Sequence, residues 1–165
     1  PSTIVQAKES GQATGTIVAA NILKMWSRLH VSCRPDAVWL YDQTCEPQLS
    51  QMTIGSAGSQ LVQYMPPGGL SAARYGTLMG RPAIPVEFCQ QVGTQGDIIL
   101  WSPSQYLMAT RGGIQTATSM HLYFDSNQMA FRFILRIAGA PWWLTALSPK
   151  SGGPTQGPAV VLATR

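Results

Sequence analysis

Apolar residues in the first part of the chain recur with the period of an α-helix. One face of such a helix would carry five of them, at i, i+4, i+7, i+8 and i+11: Val18, Ile22, Met25, Trp26 and Leu29. Lys24 and Arg28 lie toward the end of this stretch, which suits the helix dipole. The pattern predicts a long helix over Val5–Leu29. Gly11 and Gly15 weaken its first half, by about 1 kcal/mol each relative to Ala.

The next segment predicts one buried strand and one short helix. Ala37–Tyr41 is almost entirely apolar, as in a strand buried on both faces. A short helix over Glu46–Met52 follows, with Pro47 in its first turn. From Ile54 to Gly76 the chain is rich in Gly, Ser, Gln and Pro. This composition predicts a long excursion with little regular structure, and loops of that length are usually functional or mobile.

A proline-containing segment, Leu78–Val86, reads as extended chain. Proline has no backbone N–H to give to a β ladder, so Pro82 and Pro85 favour an edge strand or a kinked strand. A last strand is predicted at Ala159–Ala163, after the Gly/Pro-rich segment Ser148–Pro158.

Three apolar runs between Gly93 and Ile137 predict a β meander. The runs are Ile98–Trp101, Met120–Phe124 and Ala130–Ile137, and they are separated by Gly, Ser, Asp and Asn. Consecutive strands with tight connections have this appearance.

The alternation within the last of these runs separates two faces. Phe131, Phe133 and Leu135 point one way, which predicts a core face. Arg132 and Arg136 point the other way, on either side of an isoleucine. This second face is either solvated or in contact with other protein.

Charged residues are scarce. They make up 11% of the chain, against roughly 25% in an ordinary soluble domain. Such a sparse surface gives little protection against association, which favours an oligomer in which much of the surface is covered. A surface rich in uncharged Ser, Thr and Gln is the alternative.

The net charge of +4 is diffuse, because the eleven Lys and Arg residues never form a run. A dedicated nucleic-acid reader usually concentrates its basic residues on one face or helix, so sequence-specific recognition is not expected. Weak, non-specific attraction to a nearby polyanion fits the charge.

No catalytic or metal-binding pattern appears. His30 and His121 are the only histidines, and a structural role for them is favoured over a dyad of His30 with Cys33. The odd number of cysteines (Cys33, Cys45 and Cys89) and their irregular spacing indicate buried reduced thiols and no disulfide framework. We therefore expect a structural protein with no catalytic residue, cofactor or metal, and neither a signal peptide nor a membrane span.

The order of the motifs resembles the major capsid proteins of tailed bacteriophages with the Hong Kong 97-type fold. The predicted helix is followed by AVWLYDQTCEPQL, by PPGGL and by TLMGRPAIPVEFC. After these come GTQGDIIL, SQYLMATRGGI, SMHLYF, AFRFILRI and a terminal VVLATR, so the resemblance covers nearly the whole chain.

The resemblance implies an α+β subunit of an icosahedral shell. Residues 1–34 would be the spine helix of a peripheral lobe, packed on a β meander formed by residues 93–138. Residues 35–92 would form a small mixed axial lobe, whose loops meet at five-fold and six-fold centres, and residues 139–165 a C-terminal segment ending in a strand. In the family an N-terminal arm and an extended loop precede the spine helix. The chain begins with Pro1 and without Met, which indicates a fragment or a processed product.

The implied partners are further copies of the chain, in pentamers and hexamers, and packaged double-stranded DNA held by non-specific charge contacts. Scaffold or decoration proteins are possible partners, and the virion capsid, made in the host cytoplasm, is the implied location. A bacterial encapsulin shell is the alternative on the same fold, and a small β-rich hydrolase or ligand-binding domain is the alternative from another class. We expect eight residues at subunit interfaces: Arg111, Arg132, Arg136, Trp142, Trp143, Met65, Pro66 and Pro67.

Overall fold

The computed structural model describes residues 2–54, 61–67 and 74–165. The described strands are β1 (Thr3–Gln6), β2 (Val38–Tyr41), β3 (Thr53–Ile54), β4 (Leu61–Val62), β5 (Tyr64–Met65), β6 (Gly76–Leu78), β7 (Arg81–Pro85), β8 (Ile98–Trp101), β9 (Tyr106–Thr110), β10 (Gln115–Tyr123), β11 (Gln128–Ile134), β12 (Ile137–Pro141) and β13 (Ala159–Leu162). The helices are α1 (Ala19–Arg28) and α2 (Glu46–Ser50), with 3-10 turns at Val31–Asp36, Gln43–Cys45, Pro103–Gln105 and Phe124–Ser126.

The chain forms two compact units. Unit 1 consists of Pro1–Gln105 and Trp143–Arg165, and unit 2 is the intervening segment Tyr106–Trp142. All four parts of the predicted division, residues 1–34, 35–92, 93–138 and 139–165, contribute strands to the seven-stranded sheet of unit 1. The assignment of those parts to peripheral and axial lobes stays a prediction.

Unit 1 is built on a sheet of seven of the described strands, in the order β1-β13-β8-β2-β7-β6-β5. The pairs β1–β13 and β2–β7 are parallel and the other neighbours are antiparallel. The last strand of the chain therefore lies inside the sheet and joins the first strand to the middle of the fold.

A row of buried residues crosses this sheet from strand to strand. The paired positions in order are Ile4, Val160, Leu100, Trp39, Ala83 and Gly76. All of them are buried, and Trp39, Leu100 and Val160 are completely so. Full burial of one large apolar side chain contributes about 1.5–3 kcal/mol, so this row stabilises the sheet strongly.

Helix α1 packs its apolar face on β1 and β13. Ile22, Met25 and Leu29 are fully buried, as the predicted apolar stripe requires. The side chain of Asn21 accepts a hydrogen bond from Val18 N (3.1 Å) and so caps the start of the helix. None of the helices in the described ranges is long and apolar enough to cross a membrane.

The long helix predicted over Val5–Leu29 is wrong in its first half. Thr3–Gln6 is a strand, and the helix begins at Ala19. Gly11 and Gly15 adopt φ angles of +74° and +72°, which a right-handed helix does not accommodate. The apolar stripe begins only at Val18, and the helix begins with it.

The proline-containing strand β7 lies between β2 and β6, so the predicted edge position is wrong. Pro82 sits next to the tight turn that joins β7 to β6, and Pro85 is the last residue of β7. The hydrogen bonding between β7 and β2 continues after Pro85, because Val86 N donates to Tyr41 O at 2.9 Å. Prolines at the two ends of a short strand thus leave its interior pairing intact.

The excursion predicted over Ile54–Gly76 falls partly outside the described residues, at 55–60 and 68–73. Within its described part the chain forms the short strands β4 and β5, and the Tyr64 side chain is buried. Its hydroxyl lies 3.2 Å from that of Tyr41. This part is therefore more regular than its composition predicts.

Unit 2 is a two-stranded antiparallel ribbon, which we call the ribbon (Tyr106–Trp142). Strand β9 pairs with β12, and β10 pairs with β11. The predicted strands at Met120–Phe124 and Ala130–Ile137 are thus present with shifted ends, while the Ile98–Trp101 strand belongs to the sheet of unit 1.

Candidate interaction surface

The ribbon exposes large apolar side chains on both of its faces. Leu107 and Met108 are neighbours on one strand, so they point to opposite faces, and they are 51% and 72% exposed. Further exposed apolar side chains are Ile114, Met120, Leu122, Met129, Phe131, Phe133, Leu135, Ile137 and Trp142. A two-stranded ribbon is marginally stable at best in water, and exposed apolar patches mark interaction sites. These two faces are therefore candidate contact surfaces for other protein.

The predicted core face of the ribbon is wrong. Phe131 and Phe133 are 63% and 70% exposed, and Leu135 is half-exposed. Their alternation with Arg132 and Arg136 is correct for a strand, but a two-stranded ribbon supplies no second layer to bury either face. The alternation along the strand therefore predicts the direction of each side chain, but it does not predict whether a second layer buries that face.

A bulge brings two arginines together in the middle of the ribbon. Thr110 pairs with Ile137, and Gln115 pairs with Ile134. Between these pairs, residues 112–114 on one strand lie opposite the single residue Leu135 on the other. The additional residues form a bulge in the ladder, where strands bend and re-aim their side chains.

Arg111 and Arg136 face each other next to this bulge, and Arg111 N donates to Arg136 O at 3.0 Å. Their side chains line a notch of about 290 Å³ together with Gly113, Gln115 and Ile134. We call this the arginine notch. Like charges directly opposite each other in a ladder repel, so two guanidinium groups in one place favour an anionic partner.

Arg132 lies apart from the arginine notch. It is exposed on β11 and pairs with Ala117 across the ladder. Among the described residues, the ion pairs are Lys24–Glu9 and Arg165–Asp97, so Arg111, Arg132 and Arg136 have no carboxylate partner there. The three predicted interface arginines are thus available to a partner, with two of them in one place.

The two adjacent tryptophans have different environments. Trp142 is 64% exposed at the end of the ribbon. Trp143 belongs to unit 1, where it packs against the core and its Nε1 donates to Gln105 Oε1 at 3.0 Å. Its ring also makes an edge contact with His30. Trp143 is thus half-buried in unit 1, and its place at a subunit interface stays a prediction.

Met65, Pro66 and Pro67 are exposed in unit 1. Met65 ends β5, which is a border strand of the seven-stranded sheet. The glycines that follow the two prolines lie outside the described residues. The structure thus leaves these three side chains free for a partner, and their place at an interface stays a prediction.

Three carboxylate residues of unit 1 line one groove, of about 530 Å³: Asp42, Glu46 and Glu87. Thr44 donates two hydrogen bonds to Asp42, from its hydroxyl and from its backbone N (2.9 Å to Oδ2), and these hold the pKa of Asp42 below its ordinary value. Next to Glu87, Phe88 is 96% exposed. We call this groove with Phe88 the acidic groove. Sequence reasoning missed it, because its residues come from segments that only the parallel pairing of β2 and β7 brings together.

The residues with catalytic potential are held in structural roles. His30 Nδ1 lies 2.7 Å from Ser32 Oγ. Cys33 is fully buried, and burial raises the pKa of its thiol, which opposes formation of the nucleophilic thiolate. Within residues 2–54, 61–67 and 74–165, no group of three His, Cys, Asp or Glu residues is placed to hold a metal ion.

Comparisons with known proteins found one family model and similar solved structures. A family model described as the phage capsid family matches residues 2–146. The capsid of an empty GTA particle, computed with C5 symmetry, is similar to this chain with a TM-score of 0.61 and 15% identity. The match covers 96% of this chain and 48% of that one. The capsid of the native GTA particle gives a TM-score of 0.62 with the same identity and coverage.

The chain therefore spans about half the length of these two capsid chains. At 15% identity the likeness concerns the fold. No curated protein matches the chain.

Proposed function

The chain belongs to the phage capsid family, and from this membership we propose that it is a structural subunit of an icosahedral shell that encloses double-stranded DNA. Copies of the chain associate into pentamers and hexamers, which assemble in the host cytoplasm. The two similar structures are capsids of GTA particles computed with C5 symmetry, and that symmetry supports five-fold groups here.

The observation that carries this proposal is the ribbon with large apolar side chains on both faces. Removal of these apolar side chains from water is the strongest favourable contribution to association, at about 25 cal/mol per Å² of apolar surface. Arginines among aromatic and apolar side chains are typical of the central part of protein interfaces. The ribbon is thus built to be covered by protein on both sides.

Within a Hong Kong 97-type arrangement, residues 35–92 form most of the axial lobe. Exposed Met65, Pro66 and Pro67 support a place for this segment at the symmetry centres. In the same arrangement the helix at Ala19–Arg28 is the spine of the peripheral lobe, and the strands within residues 93–138 lie beside it in that lobe.

Contact with packaged DNA is non-specific in this proposal. The net charge of +4 is spread along the chain, which lets an inner surface neutralise phosphates without reading bases. Scaffold and decoration proteins are further partners consistent with a shell subunit, and no residue is assigned to them.

Expression of the complete gene product, with light scattering and electron microscopy, tests the proposal. We expect closed shells of uniform diameter with five-fold vertices. Shells that contain protein cargo and no DNA after assembly during phage growth would replace the DNA-enclosing function by an encapsulin-type one. A monodisperse monomer from the complete gene would contradict the shell function altogether.

Substitutions on the ribbon test the observation behind the proposal. Phe131→Ser with Phe133→Ser removes apolar surface that is already exposed, so the subunit should fold and the yield of shells should fall. Val31→Ser is the matched control, because Val31 is 68% exposed and belongs to unit 1. Equal yields from both variants would contradict a role of the ribbon in assembly.

A further inference from the structure

The arginine notch brings two guanidinium groups to one place, which suits it to bind an anionic group. Arg111 and Arg136 face each other across the ladder, and neither has a carboxylate partner among the described residues. Two guanidinium groups beside one cavity of about 290 Å³ can bind one or two carboxylates, each through paired N–H donors.

The notch itself is polar, but an apolar cavity that shares its two arginines favours protein over nucleic acid as the source of that anion. Ile134 lines the notch, and a second cavity of about 260 Å³ is lined by both arginines together with Ile137, Ala109 and Ala138. Interfaces with nucleic acid are more polar and more positively charged than this. Arginine set among apolar side chains is typical of contacts between proteins.

The chain itself carries carboxylates that have no cation partner among the described residues and can bind the arginines of another copy. Of the six acidic residues of unit 1, Glu9 and Asp97 are paired with Lys24 and Arg165. Asp42, Glu46 and Glu87 line the acidic groove together and have no cation partner among the described residues. Phe88 beside them is exposed, so its ring is available to an apolar surface of a partner.

We infer that the arginine notch of one subunit binds the acidic groove of a second copy of this chain. The contact rests on the proposed shell function and adds to it which surfaces meet. Arg111 and Arg136 bind the carboxylates of Asp42, Glu46 and Glu87, and Phe88 packs on the apolar ribbon. The contact joins two different patches, so it is heterologous, and such contacts close into rings when the rotation between copies permits.

Charge reversal tests this contact in the complete gene product. We expect Arg136→Glu alone and Glu87→Arg alone to lower the yield of shells by at least about tenfold, because each places like charges in contact. The double variant Arg136→Glu with Glu87→Arg should restore most of the yield. Lys150→Glu and Asp36→Arg are matched controls, since both residues are exposed and lie outside the two patches, and the yield should be unchanged.

Crosslinking in a charge-conserving variant gives a second measurement that does not depend on disrupting assembly. In Arg136→Lys a carbodiimide can join the introduced amine to a carboxylate in direct contact. Particles assembled from a mixture of isotopically labelled and unlabelled subunits identify links between copies by mass spectrometry. We expect labelled–unlabelled links from position 136 to Asp42, Glu46 or Glu87.

The possible results separate the contact from the shell function. Absence of shells from the unchanged gene product would overturn the shell function. Normal shells from both single reversals, or links from position 136 only to other carboxylates or within one subunit, would overturn the contact and leave the shell function standing. Normal shells from Arg136→Glu that hold less DNA would assign the notch to nucleic acid instead.

Discussion

Asp97 and Arg165 form a fully buried ion pair that ties the end of the chain to the start of β8. Arg165 Nη1 donates to Asp97 Oδ1 at 3.2 Å, and Nη2 donates to Oδ2. Both side chains have no exposed surface. Asp97 also accepts hydrogen bonds from Gly93 N (2.9 Å) and Ile98 N (2.8 Å). Every carboxylate oxygen is thus satisfied, as burial of a charge requires.

Removal of the carboxylate should destabilise unit 1 strongly. In Asp97→Ala the guanidinium of Arg165 keeps carbonyl acceptors on Thr16 and Ala163 but loses its counter-charge. We expect a loss of about 3–5 kcal/mol in the free energy of unfolding, measured by urea denaturation. Arg165→Met should cost less, because Asp97 retains two backbone N–H donors.

The double variant Asp97→Ala with Arg165→Met completes the cycle. Its loss should be smaller than the sum of the two single losses, by about 0.5–3 kcal/mol, because each single variant already removes the shared interaction. Strict additivity would show that the two side chains do not stabilise one another.

Strand content was predictable because the apolar runs are short and bounded by turn residues. Val38–Tyr41, Ile98–Trp101 and Ala159–Leu162 all lie where the sequence places them. Their neighbours were not predictable, since β13 pairs with β1 across more than 150 positions of the sequence. Pairing between strands so far apart in the sequence depends on tertiary packing, which a local sequence pattern does not predict.

Gly157 allows the close approach of β1 to the end of the chain. A Cβ atom at this position would lie 2.6 Å from the carbonyl oxygen of Ser2 and 3.1 Å from Ile4 Cδ1. Because a backbone atom cannot move aside as a side chain can, Gly157→Ala should push β1 away and cost about 1–3 kcal/mol of stability. Urea denaturation followed by tryptophan fluorescence measures the loss.

Gly113→Ala is the matched control for this substitution. A Cβ atom there has no neighbour within 4 Å. We expect a change within about 0.5 kcal/mol, as for most surface substitutions. If Gly157→Ala were as neutral as this control, the parallel pairing of β1 with β13 would not be under steric constraint at Gly157.

The candidate interaction surface was only partly predictable. Arg132 and Arg136 were recognisable from their alternation with phenylalanines, but the meeting of Arg111 with Arg136 depends on the bulge between them. The glycines at 112 and 113 are the sequence signal for an irregularity there. Glu87 and Phe88 carry no pattern of their own, and only the fold brings them beside Asp42 and shows that they are exposed.

The three thiols should be unreactive in the folded chain. Burial raises the pKa of Cys45 to about 12 and that of Cys89 to about 11, and it raises the pKa of Cys33 as well. At pH 8 these thiols are therefore almost entirely protonated, and the thiolate is the reactive form. We expect almost no reaction with Ellman's reagent over minutes, and three equivalents in urea.

Ser151→Cys supplies the control for thiol accessibility, because Ser151 is exposed. This variant should show one rapid equivalent in the native state. If Cys33 or Cys45 reacted as fast as the introduced thiol, the core around them would open on the time scale of the reaction, which their full burial in the hydrophobic core does not predict.

Asp42 in the acidic groove should titrate below its ordinary value, with Thr44 as the main cause. The hydroxyl of Thr44 contributes most, and its backbone N–H adds to the effect. In Thr44→Val the hydroxyl is lost and the backbone bond is kept, so the pKa of Asp42 should rise part of the way to 3.8. NMR titration of the Asp42 carboxyl group in the unassembled subunit measures the shift.

The sign of the accompanying stability change follows from the direction of the shift. Because folding lowers the pKa of Asp42, the stabilisation is complete above the ordinary pKa and is lost as the pH falls through the folded value. Thr44→Val should therefore lose stability at neutral pH and show a weaker dependence on acid. Thr44→Ser keeps the hydroxyl and should leave the pKa of Asp42 as it is. An unchanged pKa in Thr44→Val would mean that the charge of the groove is set by something other than Thr44.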